Sequence, residues 1–338
     1  MRALAFAAAT ALLTLVPAAP QAAPDRAPMK VIQRIPGPDG GWDYVSFDAA
    51  HRQVYFSHGN VVLSLDVDSG KLNPAFAPGN GLHAIVPVPG TDLLVTTNRG
   101  DSSAKIIKAS DGSLVKSLPV VADADGAGYD PATRLVVVIN GDPGILTLID
   151  PRKQMVVGTI HVGDHLEFGA ADGKGKFFVN VANTGEVAAV DLRTRKVLGR
   201  FKMAGCVRPT GLAAVEGERV ISACNSGIAK ILDSRTGKEL ASVKIGGFAD
   251  SVQYDPVHHL AFVPTARDGV LFVIALSGKD NNTVVAEVPT QIGARTGAVD
   301  PKTGRLYLPT AEYNPPPAGG GRPTTKPGTF TILVVGRE

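Results

Sequence analysis

The chain has 338 residues, of which 44% are hydrophobic, 19% charged and 6% aromatic, with 38 Gly, 25 Pro and two Cys. Apolar content of that order with so few charges excludes a disordered chain, a coiled coil and a fibrous repeat. Lys and Arg total 34 against 31 Asp and Glu, and a formal net charge of +3 is too balanced for a dedicated nucleic-acid or polybasic membrane binder.

At the N-terminus, Arg2 precedes an uncharged apolar stretch over residues 3–16, then small residues and Pro through Ala23, then Asp25-Arg26. This is the pattern of a secretory signal peptide, assigned to residues 1–23, whose apolar run is short for a bilayer span. An uncleaved anchor is the alternative. No lipobox cysteine follows and no other stretch of 18 apolar residues occurs. The mature chain is therefore expected to be periplasmic or secreted, monomeric and without a membrane span.

Beyond residue 30 the chain repeats. Seven ungapped windows of 16 residues superimpose, starting at 43, 83, 125, 167, 210, 250 and 295, with a mean spacing of 42. Each unit reads as a short strand, a turn (Asp-Pro at 130, 255 and 300), a β-branched strand such as residues 135–139, and an Asn-, Gly- and Ser-rich turn. A third strand commonly closes on Asp (Asp66, Asp150, Asp191, Asp233), and a basic turn such as residues 234–238 leads to a fourth. Four strands per ~42 residues, with hardly any helical periodicity, predict an all-β, seven-bladed β-propeller of four-stranded blades over residues 30–338. Paired β-sandwiches would need no fixed period. The last unit supplies three strands, and Lys30-Val31-Ile32-Gln33-Arg34-Ile35 looks like a fourth. The N-terminal strand is therefore predicted to close the last blade and remove two exposed edges.

Val95-Thr96-Thr97-Asn98, Val137-Val138-Ile139-Asn140 and the Asp…Thr-Gly-Lys turn at 233–238 resemble the YVTN-type β-propeller repeat. Over residues 30–338 the chain resembles exported YncE-like bacterial proteins, although Phe56-Ser57-His58 and the segments ending at Thr265 and Thr310 lack the Asn. The resemblance implies a periplasmic or secreted binding or scaffold propeller, with no catalytic residues to carry over.

In a propeller the innermost strand begins at the face where the turn between second and third strands opens. The first residues of the seven windows should therefore ring the channel mouth: Asp43, His83, Asp125, Glu167, Thr210, Asp250 and Arg295. Carboxylates gathered this closely repel, so some protonate unless a cation sits among them. Asp43, His83, Asp125, Glu167 and Asp250 are thus candidate metal ligands, for Ca2+ or Mg2+ through oxygen or, with the imidazole, for a transition metal. The alternative is a solvated rim in which Arg208 and Arg295 pair the acids. Trp42, beside Asp43, could stack on an apolar or cationic ligand or cover a blade edge.

The turns between second and third strands are rich in Asn and Gly for conformational reasons. Arg99 and Arg267 in these turns remain candidates for a carboxylate or phosphate. In the last unit an insertion over residues 314–328, with five Pro and four Gly, replaces the turn. It reads as irregular: a disordered surface loop, or a lid or partner contact. Cys206 and Cys224 fall at the mouth of one blade, and an exported compartment favours their disulfide; a soft-metal site with Met203 is the alternative. His258-His259 falls in a turn at the opposite face and is expected to be exposed.

No nucleophile elbow, His-Glu-x-x-His, Walker loop or haem attachment motif occurs. The leading reading is a binding or scaffold propeller that takes a small molecule or protein partner at the mouth face. The alternative is a metal-dependent hydrolase or lactonase, in which Asp43, Asp125, Glu167 and Asp250 hold a divalent cation and His83 is the general base. A third reading is polyanion binding through Arg99, Arg208, Arg267 and Arg295.

Overall fold

Each repeat folds into a sheet of four antiparallel strands, and seven such sheets form a closed ring in the computed structural model, which describes residues 28–276, 281–317, 321 and 323–337. The signal peptide assigned to residues 1–23 lies outside the described residues. The first six blades cover residues 42–78, 82–119, 124–161, 166–202, 209–244 and 253–289, and the seventh covers 298–336. The fourth strand of the seventh blade is Lys30–Pro36, paired antiparallel with Thr331–Gly336 from Lys30↔Gly336 to Pro36↔Thr331. Closure by the N-terminal strand is thus as predicted.

Second and third strands carry continuous apolar runs because each blade is covered by a neighbour on both sides. Leu135–Asn140, for example, is buried along nearly its whole length. Val86, Val95 and Ile106 of the second blade pack on Val136, Val138 and Ile149 of the third, and equivalent clusters fill the other seams.

The recurrent aspartates have a local cause. Asp48, Asp255 and Asp300 end inner strands and accept the N–H two residues on, from Ala50, Val257 and Lys302 at 2.9–3.0 Å. Asp66, Asp150, Asp191 and Asp233 end third strands and accept the N–H three residues on at 2.7–3.0 Å. Each carboxylate closes a turn that the backbone alone would leave unsatisfied.

Blades six and seven depart from the pattern. Their inner strands shrink to Gln253–Asp255 and Ala298–Asp300. Both facing second strands carry a proline, Pro264 or Pro309, whose missing N–H removes a ladder bond. Pairing with the inner strand accordingly stops at Gln253↔Phe262 and Ala298↔Tyr307, while pairing with the third strand continues through both prolines. His258 and His259 lie in the expected turn but are half-buried, which corrects the expected exposure. His258 Nδ1 is 2.7 Å from Asp255 Oδ2, and His259 Nδ1 is 2.7 Å from Glu216 Oε1. Among the described residues no helix is long and apolar enough to cross a membrane.

Candidate functional site

The inner strands of the first five blades each carry a β-bulge at their mouth end. Register shifts between Trp42 and Val45, Leu82 and Ile85, Ala124 and Ala127, Leu166 and Gly169, and Pro209 and Gly211, each against one residue fewer on the partner strand. A bulge re-aims side chains, and these fall at Asp43, His83, Asp125, Glu167 and Thr210. Asp250 and Arg295 instead precede the shortened strands of blades six and seven.

The ring resolves into three groups. In the first, His83 Nδ1 lies 2.6 Å from Asp43 Oδ2 and 2.9 Å from Asp125 Oδ1, while its N–H aligns on neither oxygen. Burial opposes the imidazolium, but the adjacent Asp125 and Asp43 oxygens outweigh it and push His83 up to about 10. In the second, Glu167 Oε1 is 3.1 Å from His165 Nε2 and 3.6 Å from Arg208, and His165 Nδ1 is 2.9 Å from Asp142. Burial and the charges of Asp125 and Asp250 raise Glu167 to about 7. In the third, Asp250 pairs with Arg295 Nε at 3.0 Å, and Arg295 also donates to the Trp42 carbonyl at 2.5 Å and lies 5.4 Å over the Trp42 ring. Burial still lifts Asp250 to about 6 against the pull of Arg295.

Of the five candidate metal ligands, Asp43, His83 and Asp125 therefore converge, with one ligand atom from each all within 4.8 Å of one another. Glu167 and Asp250 have basic partners of their own. Trp42 is 5% exposed and packs on Phe330 and Tyr313, so at the mouth it presents Arg295 rather than its own face. Thr210 turns its hydroxyl to the carbonyl of Ala249 in the next blade. Thr97, Ser251 and Thr296 do likewise towards Asp125, Arg295 and Asp43, stitching adjacent blades together.

The floor of the mouth escapes a reading by charge. Tyr44 and Phe168 follow Asp43 and Glu167 in non-adjacent blades, and their rings meet across the channel at 4.9 Å. The same column elsewhere reads Ala84, Gly126, Gly211, Ser251 and Thr296, all small. A Cβ on Gly126 would sit 3.1 Å from the Tyr44 hydroxyl, which shows how the small residues make room. Burial and the four surrounding carboxylates raise the Tyr44 phenol well above its ordinary range, so it stays a neutral donor. Two aromatics in a column of small residues were the available signal. His165, two positions from the ring, had none.

Among the turn residues, Arg99 Nε is 2.5 Å from Asp123, whereas Arg267 has no carboxylate partner among the described residues. The base of the insertion is tied down by a Tyr313↔Thr325 bridge, an Asn314 N–H donated to the Thr324 carbonyl at 2.8 Å, and a Lys326–Glu312 pair at 3.0 Å. Residues 318–320 and 322 lie outside the described residues. Cys206 and Cys224 form a disulfide, which consumes both thiols of the alternative soft-metal set and leaves it only the Met203 thioether.

No family model and no curated protein matches the sequence. A chain in the crystal structure of a mitotic checkpoint complex matches 98% of this chain and 99% of its own length, at a TM-score of 0.75 and 12% identity. At that identity the likeness is one of fold alone.

Proposed function

We propose that this protein is an exported, YncE-like binding propeller whose channel mouth holds a divalent cation on Asp43, His83 and Asp125. The observation that carries the reading is the convergence of Asp43, His83 and Asp125, one ligand atom from each within 4.8 Å of the others, with the His83 nitrogen between two carboxylate oxygens. Two oxygens and one imidazole nitrogen favour a first-row ion such as Mn2+ or Zn2+ over the Ca2+ or Mg2+ suited to an all-oxygen ring. The disulfide fits an oxidising compartment, in line with export.

The geometry does not favour the hydrolase alternative. His83 stands among the ligands rather than beside them as a free base, and Glu167 and Asp250 are engaged elsewhere. Nor does it favour polyanion binding, since Arg99, Arg208 and Arg295 each face an acid.

The test is elemental analysis and calorimetric titration of chelator-stripped protein with Mn2+, Zn2+, Ca2+ and Mg2+. One equivalent of a first-row ion is expected, lost in Asp125→Asn while circular dichroism stays that of the wild type. Absence of stoichiometric ion together with absence of saturable heat sinks the reading.

A further inference from the structure

Two residues ahead of the ring column the incoming loops turn left-handed, at Gly81 (φ 58°), Asp123 (57°), Arg208 (47°), Phe248 (61°) and Gly293 (94°). Glycine adopts this conformation without cost, whereas a bulky apolar residue there is an outlier. Among the described non-glycine residues with positive φ, Phe248 is the one apolar side chain. It is also 41% exposed. The chain thus bears a conformational and a hydration penalty to hold one phenyl ring at the rim.

That ring lines a cleft of about 300 Å³ between blades six and seven, together with Ile292 (60% exposed), Tyr313, Pro323 and Arg267. The backbone beneath is fixed: Ala266 N–H donates to the Phe248 carbonyl at 3.0 Å, and Gly293 N–H to the Ala266 carbonyl at 2.8 Å. Gly293 is required for the fit, since a Cβ there would lie 2.4 Å from the Tyr313 ring. The hydrogen-bonded backbone spares this apolar cleft the cost of ordering its frame before a ligand binds.

Charge decides what it holds. Among the described residues Arg267 is the candidate mouth arginine without a carboxylate partner, while Arg99, Arg208 and Arg295 each face one, and a guanidinium fork matches an anionic oxygen pair. Its neighbour Asp268, whose carboxylate accepts the Gly247 N–H at 2.6 Å, disfavours a dianion such as a phosphate monoester. The volume sits at the lower end of the range for small-molecule sites. We infer that the cleft binds a small organic carboxylate, its apolar body against Phe248, Ile292 and Tyr313 and its carboxylate on Arg267. The site is separate from the axial cation and does not depend on it.

One ring carrying three charges tests this. Indole-3-acetate, indole-3-ethanol and tryptamine are titrated into the full chain with chelator present, so that failure of the cation reading leaves the result intact. Indole-3-acetate is expected to bind tightest and tryptamine weakest. Phe248→Gly, which relieves the backbone, should lose at least ~tenfold in affinity for the acetate, the worth of one buried ring, and melt no lower than the wild type. Arg267→Met should erase the preference for acetate over the alcohol while leaving the alcohol unchanged. Equal or tighter binding of tryptamine, wild-type affinity in Phe248→Gly, or no saturable binding of any probe overturns the proposal.

Discussion

Glu167 is held by opposing forces whose balance shifts with pH. Burial and the charges of Asp125 and Asp250 raise its pKa to about 7, while His165 pulls the other way. A carboxyl raised in the folded state keeps its proton where the unfolded chain has lost it, so stability is greatest below the unfolded value near 4.5 and declines as pH rises through about 7. Glu167→Gln carries no charge and escapes that decline. The variant should match wild-type stability near pH 4 and exceed it by up to roughly 3 kcal/mol above pH 7. Denaturant unfolding across this range checks it, and parallel curves would count against the assignment. At this scale the sequence was legible where one residue per blade recurs at constant register, which is why the whole ring column could be named. Arg208 and Arg295, named in the sequence as partners for the acids, do pair Glu167 and Asp250, whereas His165, the second partner of Glu167, lies off the column and belongs to no period.

At the level of elements, the propeller was readable because turn aspartates and apolar runs are local consequences of local sequence. The bulges were not, because an extra residue is defined only against the partner strand. The shortened inner strands of blades six and seven were readable in principle from Pro264 and Pro309, since a missing N–H in a second strand ends its inner ladder. The disulfide belongs to this scale as well. It ties the incoming loop of blade five, which carries Val207 and Arg208, to the end of the second strand at Cys224. Closing 18 residues is worth about 3 kcal/mol by the chain-entropy account. Cys206→Ala/Cys224→Ala is therefore expected to unfold at lower denaturant by about that amount, with wild-type circular dichroism. A loss below about 1 kcal/mol would mean that the loop is held mainly by its backbone hydrogen bonds.

For the whole molecule, everything at the mouth depends on the ring being shut, and one seam joins chain segments that start far apart. Arg52 of the first blade makes two 2.9 Å bonds to Asp300 of the seventh, 248 residues away. Asp300 is 1% exposed, and although burial opposes its charge, Arg52 and the turn donors hold its pKa below the ordinary value. Arg34 adds a 2.7 Å bond to Gln291. No period in the sequence announces Arg52 with Asp300, since neither alone differs from other turn residues. The strand Lys30–Pro36 contributes more, because it satisfies the backbone of Thr331–Gly336 and buries Ile35. Removing residues through Pro36 leaves that edge open to pairing with another chain. The truncated chain should form concentration-dependent oligomers by light scattering and melt roughly 10 °C or more below the full chain. Ile35→Asp keeps the backbone pairing and loses the buried side chain, so it should melt lower and remain monomeric. If the truncation stays monomeric with the full-length melting temperature, the ring is held by inter-blade packing and the Arg52–Asp300 pair, and the terminal strand is dispensable for closure.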